Sequence, residues 1–420
     1  MITPTSMELD QYLHNINSPI EKVITNEVTK DLFHLDYKPL INYLIGNIKG
    51  LLSLALLKER NYLSDTAYTL ISFRHPTIIR AISKDDNLIN CAEEVFSESN
   101  PTEIMLNRLS DIISYVFTLE PDKASSSCGY LYCLLKHPEI IGIRNLFIML
   151  FSTHKIFTKA QEHLNKMNFP EFVSQELVQL NYKGCNISDY NNIVFLKTEA
   201  LFKIIESGAK NPIFSSAYSD INIMNCLLQT FDAPSYVIDA QWAAISSIIP
   251  ILPEEFLKFF IEPSMSIFLS LDKDIHRHHS CSLNVLTTCL KISTSFVNIN
   301  FLADLFRYFI KFDKCSEFHI SIRNFVIESL KYSEINCSVV IKFAPVLMIE
   351  AQLKEYGLIG YSAYPILSAI FDAVSNNKDL ADSISEIDSF KDFASGYLKK
   401  YRVHLMEPYG GFEPSHQSKP

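Results

Sequence analysis

From Glu139 to Phe151 the chain is apolar nearly all round: Ile140, Ile141, Ile143, Leu146, Phe147, Ile148, Met149, Leu150 and Phe151 leave almost no polar stripe. A helix of that kind must be covered on several sides. The residues before it supply two candidates. Ile104, Met105, Leu109, Ile112, Ile113, Val116 and Phe117 recur at three- and four-residue spacing, the period of one helix face, until Glu120-Pro121 ends the pattern. A second helix is predicted through Cys128, Leu131, Tyr132 and Leu135, closed by His137-Pro138. Three consecutive helices in Glu103–Phe151, the last needing cover, imply a stack and no chemistry of their own.

The same pattern continues in both directions. Upstream, helices are predicted from Ile20 to Phe33, Pro39–Ile48, Leu51–Leu57 and Leu63–Ser72, with short runs at Pro76–Ser83 and Leu88–Phe96. Downstream they fall at Ile156–Met167, Glu171–Leu180, Asn192–Glu206, Ser219–Phe231, Tyr236–Ile249, Glu254–Leu271, His276–Ser295, Asn300–Phe312, Glu317–Tyr332, Ser338–Leu347, Tyr361–Ser375 and Phe390–Lys400, with Asn181–Asp189 a polar loop. Roughly twenty helices with short polar connections read as an all-α chain, an irregular α-solenoid of stacked helix pairs of the HEAT or armadillo type. Residues 1–18 form a loose lead-in, 19–402 a single solenoid domain, and 403–420, with Pro408, Gly410, Gly411, Pro414 and Pro420, a flexible tail. Glycine supports the helical reading: there are 11, where usage of roughly 7% would give about 29. Few glycines predict few turns at positive φ and no glycine-rich phosphate loop.

Composition narrows the partners. The formal charge is −10, and the densest basic cluster is Lys399-Lys400-Tyr401-Arg402. Binding a phosphate backbone needs many cations on one face, so no nucleic acid is expected. The longest mainly apolar run without a charge, Tyr356–Phe371, is broken by Gly360 and Pro365 and is short of a bilayer span, so no membrane is expected either. Met1–Glu8 has neither the basic nor the apolar region of a secretory signal. The nine cysteines are scattered without paired C-x-x-C spacing and read as reduced core residues of a cytoplasmic or nuclear protein.

The densest ligand-like cluster is Asp272-Lys273-Asp274-Ile275-His276-Arg277-His278-His279-Ser280-Cys281. Two carboxylates and three imidazoles could hold zinc or a metal pair if they converged. On a helix, His276 and His279 share a face while His278 points away, and the aspartates suit a solvated helix start. The helix-start reading is the expectation; a metalloenzyme is the alternative. Cys128-x4-Cys133 has the wrong spacing for a zinc knuckle, and Trp242 reads as core. No G-x-S-x-G, H-E-x-x-H or P-loop is present.

The order of segments resembles a known family. Asp36–Ile48 (DYKPLINYLIGNI), Leu106–Pro121 (LNRLSDIISYVFTLEP), Leu134–Leu150 (LLKHPEIIGIRNLFIML), His163–Val178, Asn211–Phe231 (NPIFSSAYSDINIMNCLLQTF), Leu302–Phe309 with His319, Gly357–Ala373 (GLIGYSAYPILSAIFDA), Phe390–Leu398 and Gly410-Gly411 follow, in order, stretches of the SAPS family. Ile310-Lys311-Phe312-Asp313 departs from it, replacing a tryptophan-asparagine element. Members are regulatory subunits of phosphatase-6-type serine/threonine phosphatases. The resemblance implies a non-catalytic scaffold, without cofactor, that binds a phosphatase-6-type catalytic subunit, with room for a further adaptor. The Gly-Asp-x-His-Gly and Gly-Asn-His-Glu motifs of the phosphatases themselves are missing, since Asp274-Ile275-His276 lacks the flanking glycines. Arg277, Arg307 and His319 are the partner-binding candidates, on the expectation that they are exposed. A generic helical adaptor of another pathway is the competing reading.

Overall fold

The computed structural model describes residues 4–14, 18–84, 86–98, 100–124, 128–218, 220–230, 232–271, 273–353, 358–385 and 390–406. The regular structure of these residues is helical throughout, as the periodicity predicts. Two compact units divide the chain, residues 1–251 and 252–420.

In the first unit the helices Lys38–Gly46, Pro76–Ile82, Glu103–Leu119, Ile141–Phe151, Ile193–Ala209 and Ser235–Ile248 follow one another, each packed against the next. Side-chain bonds join successive members. The Asn107 side chain accepts the Gly142 N–H at 2.9 Å, Arg144 pairs with Glu199 at 3.1 Å, and the Ser207 hydroxyl donates to Ile148 O at 3.2 Å. Residue numbers rise together across the last two contacts, so Ile141–Phe151 and Ile193–Ala209 run parallel. Shorter helices make a second succession: Ile48–Ala55 packs on Asn87–Ser97, which packs on Tyr130–Leu134, and farther along Phe169–Val178 packs on Ile221–Leu227.

Local chemistry starts these helices where they start. Asn61, Thr102 and Asn192 accept backbone N–H groups of Ser64, Met105 and Val194 at 2.8, 3.3 and 3.0 Å, satisfying donors a helix start leaves open. Pro39, Pro76 and Pro170 occupy first-turn positions, where a missing N–H costs nothing.

The apolar helix Ile141–Phe151 buries Ile143, Leu146, Phe147, Leu150 and Phe151, while Ile141 at its start stays exposed. Phe147 and Phe151 meet Phe169 at 5.5 and 5.9 Å between ring centroids, and Phe151 stacks on Phe214 at 4.4 Å. Burying each such ring contributes about 1.5–3 kcal/mol. Gly208 is the small residue that lets this packing close: a Cβ there would stand 2.7 Å from Tyr218 and 2.8 Å from Phe151.

In the second unit Glu254–Leu269 packs on Arg277–Cys289, which packs on Ser316–Ser329, which packs on Leu358–Asn376. A second succession runs from Ile299–Lys311 through Ser333–Leu353 to Lys378–Ser385. The core is ring-rich: Phe268 lies 5.2 Å from Phe301, 5.6 Å from Tyr308 and 6.4 Å from Phe318.

Two differences from the sequence reading have physical causes. Residues 4–14 are a helix, not a loose lead-in; Leu9 is fully buried and Asp10 accepts the Tyr37 hydroxyl at 2.9 Å. Pro345 and Pro365 lie inside Ser333–Leu353 and Leu358–Asn376, as the expected helices Ser338–Leu347 and Tyr361–Ser375 already place them. A mid-helix proline costs about 3 kcal/mol, and complete burial of Ala344, Leu347, Ile366 and Leu367 beside them offsets it. The helix Lys378–Ser385 was missed because only Leu380 and Ile384 of it are buried apolar residues.

Positive φ is uncommon among the described residues, as scarce glycine predicts: it is taken by Asp36, Arg74, Asp86 and Asn168, at 54–55°, and by Gly184 at 78°. Most of these positions are held by residues other than glycine. Aspartate and asparagine tolerate that conformation through local bonds; arginine has no such compensation. Residues 407–420, with Gly410-Gly411 and most of the expected tail, lie outside the described residues.

Candidate functional site

The histidine cluster sits at the start of Arg277–Cys289. His276 precedes the helix in an extended backbone, φ −118° and ψ 163°. Nδ1 of His279 lies 3.0 Å from the His276 N and 3.3 Å from its O. The closer contact makes the imidazole an acceptor of the N–H, in the place a glutamate takes in a capping box. That role needs a neutral ring with its proton on Nε2.

Because His276 is not helical, the helical spacing that set His278 apart from it does not apply. The rings of His276 and His278 stack at 5.2 Å, those of His278 and His279 at 4.1 Å, and those of His276 and His279 at 6.0 Å. His278 and His279 are buried, 7% and 3% exposed, whereas Lys273 and Arg277 are exposed, so the helix start is solvated on one side and packed on the other. Asp274 is exposed and Asp272 lies outside the described residues. Among the described residues no three of His, Cys, Asp and Glu stand where they could share a metal ion. The arrangement holds three imidazole rings close together at a helix N-terminus.

The three partner-binding candidates fall in different environments. Arg277 is exposed, its Nε 4.0 Å from Glu317 Oε1. Arg307 is exposed and bound to its own helix, 3.0 Å from Asp304, with its guanidinium 4.9 Å over the Tyr308 ring. His319 corrects the expectation: it is fully buried. Its Nε2 lies 3.0 Å from Phe309 O and its ring stacks on Phe309 at 4.5 Å. Burial holds its pKa below the ordinary imidazole value, against the opposing pull of the Phe309 and Phe312 carbonyls and Asp313. A neutral histidine packed there supports the core and offers no charge to a partner.

Trp242 is 4% exposed, as core packing requires. All nine cysteines are free. Burial pushes Cys91, Cys226 and Cys289 up to about 12 and Cys128 up to about 11, so these thiols stay protonated and unreactive.

Two polar groupings escaped the sequence reading. Arg108, 7% exposed, donates to Ala55 O at 2.9 Å and Ser64 Oγ at 2.7 Å, pairs with Asp65, and lies 4.9 Å over the Tyr68 ring. Glu199 takes Arg144 and Lys203, while Lys197 reaches Glu139 at 3.9 Å and Lys136 O at 2.7 Å. The available clue was a lone arginine in each of two mainly apolar stretches, MLNRLSDII and IGIRNLFIML. Both groupings join helices, and neither pairs a nucleophile with a base.

No helix among the described residues is long and apolar enough to cross a membrane. Compared with known proteins, the chain matches no protein-family model and no curated protein.

Proposed function

We propose that the chain is a non-catalytic regulatory or scaffold subunit that binds a phosphatase-6-type serine/threonine phosphatase catalytic subunit and directs it to substrates. In this reading each unit is an irregular solenoid of stacked helix pairs, the molecule works in the cytoplasm or nucleus, and a further adaptor can join the complex. The supporting observation is a coincidence of segments and packing. The stretches most similar to the SAPS family, Leu106–Pro121 and Leu134–Leu150, lie on Glu103–Leu119 and Ile141–Phe151, which pack side by side in one succession of helices. Successive helices that each bury a face on the next are what an extended binding scaffold is made of. A stable complex would cover more than about 1,200 Å² of such a surface, with a few central anchors carrying the affinity.

The test is to purify the tagged full chain and identify what comes with it by mass spectrometry. A near-stoichiometric phosphatase-6-type catalytic subunit is the expected result. A different stoichiometric partner would hand the same fold to the generic adaptor reading. Activity of the chain alone on phosphorylated peptides would defeat both.

A further inference from the structure

Arg74 sits in the turn between the helices Tyr62–Ser72 and Pro76–Ile82 at φ 55°. Its N–H donates to Ile71 O at 2.9 Å, closing the helix as a glycine ordinarily would. A long side chain in that conformation is strained, and strain of this kind gathers at ligand clamps. The guanidinium is held nevertheless: its carbon lies 4.5 Å over the Tyr115 ring. Seven of the nine arginines pair with a carboxylate. Arg74 makes no ion pair with any described residue, and neither does Arg323, which only reaches Asn324 Oδ1 at 3.4 Å.

The turns around Arg74 carry exposed apolar side chains beside the Asp36–His75 pair. Phe73 is 40% exposed and Leu35 76%. They belong to neighbouring turns: the Phe73 ring lies 4.2 Å from that of His34, and His75 Nε2 lies 3.1 Å from Asp36 Oδ1. A cation over a ring, with no ion pair to any described residue, thus stands in a turn next to Phe73 and close in the fold to the turn that carries Leu35. Arginine presents its donors as a planar fork that matches a carboxylate. Arginine and aromatic residues are also the usual anchors of protein interfaces.

We propose that Arg74, Phe73 and Leu35 form a docking anchor for a partner segment that carries an aspartate or glutamate next to an apolar side chain. Charge complementarity selects the carboxylate, and the exposed phenylalanine and leucine select its neighbour. The inference does not depend on the identity of the catalytic partner proposed above.

The experiment is an array of random dodecapeptides, including phosphoserine-containing members, probed with the labelled full-length chain. Bound peptides should be enriched in Asp or Glu adjacent to Leu, Ile or Phe. Arg74→Gly, which suits φ 55°, should lower binding to those peptides about tenfold while keeping the parent helicity and melting temperature. Arg74→Gln should do the same where the glycine variant folds poorly, Leu35→Ser should weaken binding less, and Arg323→Gln should leave it unchanged. Equal binding by both Arg74 variants, an array with no carboxylate enrichment, or a preference for phosphoserine over glutamate would overturn the proposal.

Discussion

In residues 1–251 helices are tied to one another by ions: Arg80 reaches Glu120 at 2.9 Å, Arg144 reaches Glu199 at 3.1 Å, Lys159 reaches Asp122 at 2.7 Å, and Arg108 spans to Asp65, Ser64 and Ala55 O. In residues 252–406 the corresponding work falls mostly to rings. Phe268 gathers Phe301, Tyr308 and Phe318, Phe306 meets Phe343 at 5.4 Å, Tyr364 stacks on Tyr401 at 4.8 Å, and imidazoles are buried at His278, His279 and His319. Of the ion pairs there, Arg307–Asp304 stays within one helix and Lys331–Glu328 at the end of one, while Arg277–Glu317 and Arg402–Asp372 join helices. The same helical packing is thus made specific by two chemistries, and they respond to different conditions. Ion pairs weaken with salt and, through their carboxylates, with strong acid. A histidine that burial keeps neutral, as it does His319, weakens its unit in mild acid.

Trp242, the sole tryptophan, lies in the first unit, so its fluorescence reports that unit while far-ultraviolet circular dichroism reports both. The comparison can be broken most severely at Phe147. Phe147→Ala should cost about 3–5 kcal/mol, seen as an early urea transition in Trp242 fluorescence. A loss under about 1 kcal/mol would deny that the first unit is built around the helix Ile141–Phe151. Arg108→Ala comes next, at about 2 kcal/mol in the same assay, since it strips charge-assisted bonds from a buried site. If it proves neutral, ions do not hold the first unit together.

The pH dependence sharpens the contrast. The folded pKa of His319 lies below its unfolded value, so the unfolded state takes up the proton first. Its contribution is intact above about pH 6.5 and is lost as pH falls through the unfolded value towards the folded one. Asp36 and Asp65 of the first unit have depressed pKa values, led by bonds to Lys38 and Arg60 respectively, so their contribution fades only in stronger acid, below the ordinary carboxylate range. Between pH 7 and 5 the circular dichroism transition should therefore broaden or split, with Trp242 fluorescence nearly unmoved. His319→Gln, which can still donate to Phe309 O, should reduce the split. The smallest effect is expected at Lys331→Ala. An exposed pair three residues apart contributes no more than about 0.5 kcal/mol, and a larger change would mean that intrahelical ions matter to the second unit after all.

Much of this architecture was legible in the sequence, because a helix that buries one face writes its period into the chain. Glu103–Leu119 and Ile193–Ala209 were read to within a few residues, and so was the loop that precedes Ile193. Misreadings arose where little apolar surface marked a helix, at Lys378–Ser385 and Pro4–His14. The candidate site was less legible. His319 sits on a helix whose buried face is set by Phe318, Ile322 and Phe325, and nothing local says whether the residue after Phe318 faces inward. The reading of His276–His279 failed because it extended the helix one residue too far upstream, and one residue decides where a ring points.

Between Phe390–Phe393 and Lys399–Met406 the backbone takes a π turn, Ala394–Leu398. Such a turn accommodates one residue more than an α-helix would, so the last helix has in effect absorbed an insertion. Beyond it Arg402 bonds Ser368 through Nε and Nη2 at 2.9 and 2.8 Å and Asp372 at 2.7 Å. Deleting a single residue, Gly396 for instance, would restore regular winding and swing everything after it by about 100° around the helix axis. Arg402 would leave its latch while the helix itself survived. For this segment the reading frame of the helix, rather than the identity of its side chains, is the heritable quantity, and a one-codon deletion there would be more disruptive than most substitutions.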